Sequence, residues 1–152
     1  MTLSFRNYLS GDEKIRLTSS IIILSENNKL LLELRSDCNL WGLIGGVVKV
    51  GEDPKCTACR ECEEETGLVL SKNNLSLLDI YGDIKEYRIL DFKDNLFHSI
   101  DIVYYVLFSN IDNLKISHES LDLQFFDIKL LNYSNIVKPA IPPIKDFLNL
   151  IF

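Results

Sequence analysis

The sequence predicts an α/β fold in which helices cover the faces of a mixed β-sheet. Three observations lead to this prediction. Apolar runs rich in β-branched residues, typical of strands, occur both before and after one strongly marked central helix, and a second amphipathic helix closes the chain. Such a sheet buries its apolar faces against helices, although the pattern leaves the strand order open. The 152 residues fit a single domain spanning residues 1–152.

The first third of the chain carries four strand predictions. Residues 1–14 are polar and are expected to be loosely organised. Leu17–Leu24 and Leu30–Arg35 are predicted to form a hairpin, because both are aliphatic and the Glu-Asn-Asn-Lys segment between them favours a turn. Trp41–Ile44 and Val47–Val50 are predicted as two shorter strands on either side of a glycine pair, which lets a ligand approach the backbone closely.

A central helix is predicted to begin at Pro54 and to end before Gly67. Asp53 suits the N-cap because its carboxylate can accept a backbone N–H of the first turn, and proline at the first helical position loses no hydrogen bond. Gly67 suits the C-terminal stop, where the backbone commonly adopts a left-handed conformation. Local chemistry therefore predicts both ends of this helix.

The second half of the chain is predicted to contain three strands and a closing helix. Leu75–Tyr87 and Ile100–Phe108 have the pattern of long strands in a second antiparallel pair, joined through the polar turn region Asp91–Asn95. Leu121–Ile128 is a further predicted strand. The segment Pro142–Phe152 has the periodicity of a helix. Its predicted buried side consists of Ile144, Phe147, Leu148 and Ile151.

The end of the central helix carries an unusual concentration of acid. Glu61, Glu63, Glu64 and Glu65 lie in its last turns, where unpaired carbonyl groups already disfavour negative charge by about 0.3–1 kcal/mol per carboxylate. At roughly 100° per residue, Glu61, Glu64 and Glu65 share an arc of about 100°, whereas Glu63 points elsewhere. Three convergent carboxylates suit a hard divalent cation such as Mg²⁺. The simpler alternative is a solvated acidic face.

Three cysteines on the same helix have a spacing that is also found in iron–sulfur proteins. Cys56, Cys59 and Cys62 form C-x2-C-x2-C, but on a helix Cys59 and Cys62 lie with Ala58 on the side opposite the glutamates. Ligands of that spacing normally lie on a loop with a fourth cysteine nearby, and only Cys38 remains. Cys59 and Cys62 are therefore predicted to be small core residues, whereas Cys56 is predicted to be less buried.

The acidic helix belongs to a longer motif that identifies a family. The pattern is G-x5-E-x7-R-E-U-x-E-E-x-G-U, where U is apolar. Its defined positions are filled by Gly46, Glu52, Arg60, Glu61, Cys62, Glu64, Glu65, Gly67 and Leu68. With this match the chain resembles a Nudix hydrolase. The resemblance implies the α/β/α sandwich of that family and an enzyme that splits phosphoanhydride bonds with water and a divalent cation, Mg²⁺ or Mn²⁺.

The resemblance also assigns roles to the glutamates of the motif. Glu61, Glu64 and Glu65 map onto the metal-binding carboxylates of the family, and the carbonyl of Gly45 is the implied backbone ligand. Glu61 and Glu64 are thereby implied in catalysis, and Glu61 can also orient or deprotonate the attacking water. One departure is Ile44, because many relatives have proline immediately before the paired glycines.

Four further residues receive predicted roles. Glu52 and Arg60 match a pair that supports the loop against the helix through a salt bridge in relatives. Glu119 lies at a position similar to that of a late glutamate that serves as general base in some relatives, with a surface glutamate as the alternative. Arg35 can meet a substrate phosphate, although a core or surface role is the simpler explanation.

The predicted substrate is a small nucleoside diphosphate derivative, which includes nucleotide sugars, dinucleotides and nucleoside triphosphates. Two alternatives remain open at this point, a sanitising hydrolase for oxidised nucleoside triphosphates and a non-catalytic nucleotide-binding sensor domain. Intact Glu61, Glu64 and Glu65 argue against the sensor, which has no need for charges that strain the helix. Asp83 replaces a proline that is frequent in ADP-ribose-specific relatives, which lowers ADP-ribose among the candidates.

Charge and hydropathy limit the partners of the chain. The formal net charge of −6 provides no general basic surface for a long nucleic acid. No apolar run approaches the 18 residues of a membrane span, so a cytoplasmic location is expected. Phe5, Tyr8 and Leu9 can dock on the body of the protein or on a second subunit, which leaves a homodimer open.

Overall fold

Nine strands form one mixed sheet in the part of the chain that the computed structural model describes, residues 3–93, 95–109 and 114–152. The strands are β1 (Ser4–Arg6), β2 (Lys14–Ser25), β3 (Lys29–Arg35), β4 (Trp41–Gly42), β5 (Ile44–Val47), β6 (Ser76–Tyr81), β7 (Ile89–Phe92), β8 (Asn95–Phe108) and β9 (Ser120–Asp127). The helices are α1 (Pro54–Thr66) and α2 (Ile141–Ile151). Short 3₁₀ turns occupy Lys72–Asn74, Ile84–Glu86, Ile128–Leu130, Tyr133–Asn135 and Lys138–Ala140.

The long strands β2 and β8 run parallel at the centre of the sheet. The other edge of β8 is shared by two antiparallel partners, β7 near its start and β6 further along. In the same way, β2 pairs with β5 along Thr18–Ile21 and with β3 at Leu24. β1 extends the sheet beyond β7, while β4 and β9 pair with β3. Each of the two central strands therefore has two different partner strands, one after the other, along its outer edge.

The apolar run of β2 is buried on both faces of the sheet. Ile21 and Ile23 belong to a core cluster with Cys62 of α1. The alternate residues Ile22 and Leu24 belong to the cluster beneath α2. A strand covered on both faces needs a continuous apolar sequence rather than an alternating one, which explains the run Ile-Ile-Ile-Leu. The predicted α/β/α arrangement, with helices on both faces of a mixed sheet, is confirmed.

Both predicted ends of α1 are confirmed by its capping geometry. The carboxylate of Asp53 accepts the N–H of Lys55 at 3.0 Å, and Pro54 is the first helical residue. Gly67 has a φ of 78° and donates its N–H to the carbonyl of Glu63 at 2.9 Å. These local interactions hold the acidic end of the helix in a defined position.

The closing helix α2 presents the predicted face to the sheet. Ile144 and Phe147 are fully buried, and Leu148 and Ile151 pack at the edge of the same cluster. None of the helices in the described ranges has both the length and the apolar character needed to cross a membrane.

The prediction of one long strand over Leu75–Tyr87 is wrong. The chain leaves the sheet after β6, makes the 3₁₀ turn Ile84–Glu86 and re-enters as β7. Asp83 caps that turn by accepting the N–H of Lys85 at 3.0 Å, and Tyr87 has a positive φ of 62°. The predicted turn region Asp91–Asn95 accordingly contains the end of β7 and the first residue of β8. Strand propensity outweighed these polar turn signals in the prediction.

Two smaller differences concern the edges of the sheet. The strand predicted at Val47–Val50 lies earlier, at β5, because its pairing with β2 ends at Val47 and Gly51 turns the chain with a φ of 83°. Within the segment expected to be loosely organised, Ser4–Arg6 form β1 by pairing with β7. Phe5 packs against the core cluster beneath α2.

Candidate active site

The candidate catalytic residues come together in a cleft of about 1040 Å³ between β2, β3, β5, β7 and β8. Its lining includes Glu61 and Glu65 from α1, and Glu119 from the segment before β9. Gly45 and Arg35 line the same cleft. The fold therefore gathers acidic groups that are far apart in the sequence at one position.

Arg60 connects the loop before α1 to the acidic face of the helix. Its Nε and Nη2 donate to the two carboxylate oxygens of Glu52 at 2.7 and 3.0 Å, and Nη2 also donates to the carbonyl of Val47 at 3.3 Å. Its Nη1 donates to Glu61 at 2.9 Å and to Glu64 at 3.2 Å. The bidentate hydrogen bonds from Arg60 lower the pKa of Glu52 to about 2. One guanidinium thus fixes the loop and offsets part of the repulsion between two glutamates.

The glycine pair lies directly against the glutamates. The N–H of Gly45 donates to Glu65 Oε2 at 3.1 Å. A Cβ on Gly46 would collide with the carboxylate of Glu61, and a Cβ on Gly45 would lie 2.5 Å from the hydroxyl oxygen of Ser20. At Gly45 the crowding atoms include the backbone of Ser19 and Ser20, so this position requires glycine, whereas at Gly46 a Cβ would displace the flexible end of Glu61. The motif glycine therefore leaves the space that the Glu61 carboxylate occupies.

Glu65 is a buried carboxylate among other acids. Its exposed fraction is 7%. Burial, together with the charges of Glu33 and Glu61, raises the pKa of Glu65 to about 9. Glu33 is also buried and accepts the hydroxyl of Ser120 at 2.7 Å. Sequence reasoning missed Glu33, although a single acid within an aliphatic strand was a usable signal.

Glu64 occupies a different environment from its two neighbours in the motif. Its side chain is 55% exposed, and its carboxylate contacts Arg60. Across the described ranges, no group of three or more His, Cys, Asp or Glu side chains is arranged closely enough to hold a metal ion. An exposed ion pair of this kind contributes only about 0–1 kcal/mol. Rotation of Glu64 away from Arg60 is therefore energetically inexpensive.

The chemistry of these residues fits a hard divalent cation. Mg²⁺ binds carboxylate oxygens and retains several waters, so it needs few protein ligands. A cation beside Glu61 and Glu65 would oppose the burial, and the repulsion from neighbouring acids, that raise the pKa of both carboxyl groups. Glu64 lies on the same helix turn as Glu65 and Glu61. The donor set is therefore suited to Mg²⁺ or Mn²⁺.

Glu119 and Arg35 enter the cleft from neighbouring strand ends, because Arg35 of β3 pairs with Ser120 of β9. The carbonyl of Glu119 accepts the hydroxyl of Ser36 at 2.8 Å, and its charge contributes to raising the pKa of Glu61. Arg35 donates from Nε and Nη2 to the two carboxylate oxygens of Asp37 at 3.0 and 2.7 Å. Their roles as general base and phosphate ligand stay predictions.

The cysteines of α1 lie in or beside the core. Cys62 is fully buried, and burial raises the pKa of its thiol to about 11. Cys59 packs at the edge of the same cluster as Cys62 and Ala58. All four cysteines, including Cys38 and Cys56, are free thiols. The packing of Cys59 and Cys62 agrees with the prediction of small core residues.

Comparisons with known proteins place this fold and cleft in context. A family model described as the NUDIX domain matches residues 14–147. Dihydroneopterin triphosphate diphosphatase of Haemophilus influenzae is 38% identical over 59 residues, which are 39% of this chain and 37% of that protein. The solved structure of a MutT/nudix family protein from Enterococcus faecalis has a TM-score of 0.72 at 22% identity, over 95% of this chain and 65% of that one.

A further solved structure is that of a bifunctional NMN adenylyltransferase/ADP ribose pyrophosphatase from Francisella tularensis, complexed with AMP and a Mn ion. It has a TM-score of 0.73 at 16% identity, over 94% of this chain and 44% of that one. The present chain therefore spans less than two thirds of each of these three relatives.

The α/β/α sandwich, with an acidic helix and a glycine pair at one end of its cleft, defines a Nudix-type protein. The family model covers most of the chain, so this protein belongs to the Nudix hydrolase family. Members of that family are pyrophosphohydrolases of nucleoside diphosphate derivatives. The family that the sequence motif predicts is confirmed.

Proposed function

We propose that this protein hydrolyses a phosphoanhydride bond in a small nucleoside diphosphate derivative, with Mg²⁺ or Mn²⁺ as its cofactor. One observation carries the proposal. Glu61, Glu65 and Glu119 meet the Gly45–Gly46 pair of β5 at one end of a cleft whose remaining length is lined by basic, aromatic and polar side chains. Acid at one end suits a cation, and the rest of the cleft suits the organic part of a nucleotide.

Glu61, Glu64 and Glu65, with the carbonyl of Gly45, would hold the divalent ion. Such an ion polarises phosphate oxygens and makes a bound water easier to deprotonate. The protein supplies the positions of the ligands. Gly46 leaves room for the Glu61 carboxylate, and Arg60 holds Glu61 on the loop side of the helix.

Two carboxylates of the cleft are suited to accept a proton from the attacking water. Glu119 approaches from a segment separate from the proposed ligand helix, so it can act without leaving a metal ion. Glu61 is the competing candidate, because it both lies in the cleft and belongs to the motif. Glu119→Gln should lower kcat by about 100-fold or more if Glu119 is the base. An unchanged kcat in that variant would assign the role to Glu61.

A substrate panel with product analysis tests the proposed reaction. The panel contains nucleotide sugars, dinucleotides, nucleoside triphosphates, oxidised triphosphates and dihydroneopterin triphosphate, each with Mg²⁺ and with Mn²⁺. Pyrophosphate and a monophosphate identify the triphosphate route, which the name of the Haemophilus influenzae relative favours. Two monophosphorylated fragments identify the linked-nucleotide route. Preference for oxidised triphosphates would establish a sanitising role.

Matched glutamate variants test the ligand assignment. Glu61→Gln, Glu64→Gln and Glu65→Gln each remove one charged ligand with almost no change in shape, and each should lower kcat by about 100-fold or more. Glu63→Gln is the control, because Glu63 is exposed on the same helix and points away from the other three. Equal activity of all four variants would contradict the assignment.

A sensor that binds nucleotides without hydrolysis is the competing function. It predicts tight nucleotide binding by calorimetry and no turnover of any panel member with either metal. Turnover that disappears in Glu65→Gln and persists in Glu63→Gln excludes that alternative. Cytoplasmic location and a homodimer stay predictions.

A further inference from the structure

The cations that line the cleft fall into two groups. Arg35 is paired, because it donates to both carboxylate oxygens of Asp37. Arg88 also has an acidic neighbour, since its Nη1 lies 3.8 Å from Oδ2 of Asp101 in β8. The remaining cations of the lining are Arg16, Lys49 and Lys93. Within the described ranges, none of these three forms an ion pair, so their charge is available to a ligand.

Two of these cations, Arg16 and Lys49, leave the sheet beside each other. Arg16 lies in β2, and Lys49 follows β5, which pairs with β2. The N–H of Val48 donates to the carbonyl of Leu17 at 3.0 Å, so the antiparallel pairing continues past β5 and brings Lys49 next to Arg16. Lys93 lies further away, after β7, and is not part of this pair. Two long cationic side chains that start side by side can bind the same anion.

The side chain of Arg16 is held in place by an aromatic ring. Its guanidinium carbon lies 4.1 Å from the centre of the Phe97 ring, a cation–π contact that orders the guanidinium. None of its N–H groups donates to an acceptor in the described part of the chain. A guanidinium presents these donors as a fork that matches phosphate oxygens. Because the ring already orders it, Arg16 loses less conformational freedom when a ligand binds.

The distance between this pair of cations and the acidic end of the cleft suits one nucleotide. Ser20 of β2 pairs with Gly45, which lies at the acidic end. Arg16 lies four residues before Ser20, which is about 13 Å along a strand. Its guanidinium stacks on Phe97, which pairs with Lys14 and so lies further still from Ser20. The diphosphate and ribose of a nucleotide bridge such a gap.

We infer that Arg16 and Lys49 bind a phosphate monoester on the ribose of the substrate, separate from the phosphoanhydride that is hydrolysed. Such a group carries about −1.5 to −2 charges and three acceptor oxygens near pH 7. A guanidinium and an ammonium together match that charge. On the ribose, the 2′ and 3′ oxygens are the positions that can carry it. This inference rests on the proposed function and names the substrate class for the same cleft.

Substrate pairs that differ by one ribose phosphate test this inference. NADPH and NADH differ at the 2′ position, and coenzyme A and dephospho-coenzyme A differ at the 3′ position. Wild-type kcat/KM should be at least about 10-fold higher for the phosphorylated member of one pair, because that member gains charge-assisted hydrogen bonds. The pair that shows the preference identifies the position of the phosphate. Equal values within both pairs would refute the inference.

Charge-removing variants separate recognition of the phosphate from a structural role. Arg16→Gln and Lys49→Gln should each lower kcat/KM by about 10-fold for the phosphorylated substrate and leave its unphosphorylated partner nearly unchanged. Arg16→Lys keeps the charge and should retain part of the preference. Lys29→Gln is the matched control, since Lys29 is an exposed lysine of β3 outside the cleft lining. An equal loss for both members of a pair would indicate a structural role and overturn the inference.

Binding measurements keep the inference separate from the proposed function. Titration calorimetry compares AMP and GMP with the corresponding 2′,5′- and 3′,5′-bisphosphates, without any turnover. Tighter binding of a bisphosphate that weakens at high salt supports the inference even where nothing is hydrolysed, a result that would count against the hydrolase alone. Bisphosphates that bind no more tightly than the monophosphates refute the inference and leave the proposed hydrolysis intact.

Discussion

Replacing Gly46 with alanine tests whether the position of the Glu61 carboxylate sets the rate of hydrolysis. A Cβ at this residue would overlap the carboxylate carbon and one oxygen of Glu61 and would lie 2.8 Å from the other oxygen. Unstrained carbon contacts are about 3.5–4.0 Å, so the carboxylate must retreat by roughly 1 Å or more. The obstructed group is the end of a flexible side chain, so the backbone of β5 can keep its place.

The expected effect on catalysis is larger than the effect on stability. A displacement of about 1 Å in a catalytic group costs about 100-fold in rate, which corresponds to about 2.7 kcal/mol. Overpacking costs about 1–3 kcal/mol of unfolding free energy, and rotation of Glu61 keeps Gly46→Ala near the lower limit. Steady-state kcat at saturating Mg²⁺, with the best substrate of the panel, measures the first quantity. Urea denaturation measures the second.

Gly82→Ala is the matched control for this experiment. Its new Cβ would meet Ile100 Cγ1 at 3.3 Å, a mild contact outside the cleft. We expect near wild-type kcat for Gly82→Ala and about 1% of it for Gly46→Ala. A folded Gly46→Ala protein with wild-type kcat would show that catalysis does not depend on where this structure places Glu61.

Three other properties follow from the structure. The pKa of Glu13 is lowered to about 2, mainly because a backbone N–H of the same turn donates to its carboxylate. A carboxylate with a lowered pKa stabilises the fold above about pH 4.5, and this stabilisation is lost as the pH falls toward 2. Between pH 5 and pH 3, the unfolding free energy of Glu13→Gln should therefore decrease less than that of the wild-type protein. Native protein treated with iodoacetamide at pH 8 should be alkylated at half-buried Cys56 but not at Cys62, because burial raises the pKa of the Cys62 thiol to about 11. Peptide mass spectrometry of the native protein and of a urea-unfolded sample measures the alkylation of each cysteine. Phe147→Ala should lower the unfolding free energy by about 3–5 kcal/mol because its ring is fully buried, whereas Phe152→Ala, 71% exposed, should change it by less than about 0.5 kcal/mol in urea titrations.

Local chemistry made helix α1 predictable from the sequence. Asp53, Pro54 and Gly67 act within a few residues of their own positions, and the structure places each as an N-cap, first helical residue and C-cap. The break within Leu75–Tyr87 was not predictable from propensity alone. It depends on β8 being long enough to take both β6 and β7 as partners on one edge, which is a property of the whole sheet.

The candidate site shows the same division between local and long-range information. The motif placed Glu61, Glu65 and the glycine pair at one site, because they lie within a single loop and helix. Glu33 and Asp101 lie on strands far away in sequence, and only strand pairing brings them into the cleft. Acids inside otherwise apolar strands were the available signal, but the sequence gives no information about what such acids face.

The structure changes the explanation for the acids at the end of α1. Sequence reasoning attributed the tolerance of Glu61, Glu64 and Glu65 to one cause, a divalent cation. Arg60 in fact donates to Glu61 and Glu64, so the motif itself supplies a compensating charge for these two. Glu65 is buried and accepts a neutral backbone N–H. Its charge is therefore the least compensated of the three, and Glu65 is the position at which a bound cation would contribute most to both stability and function.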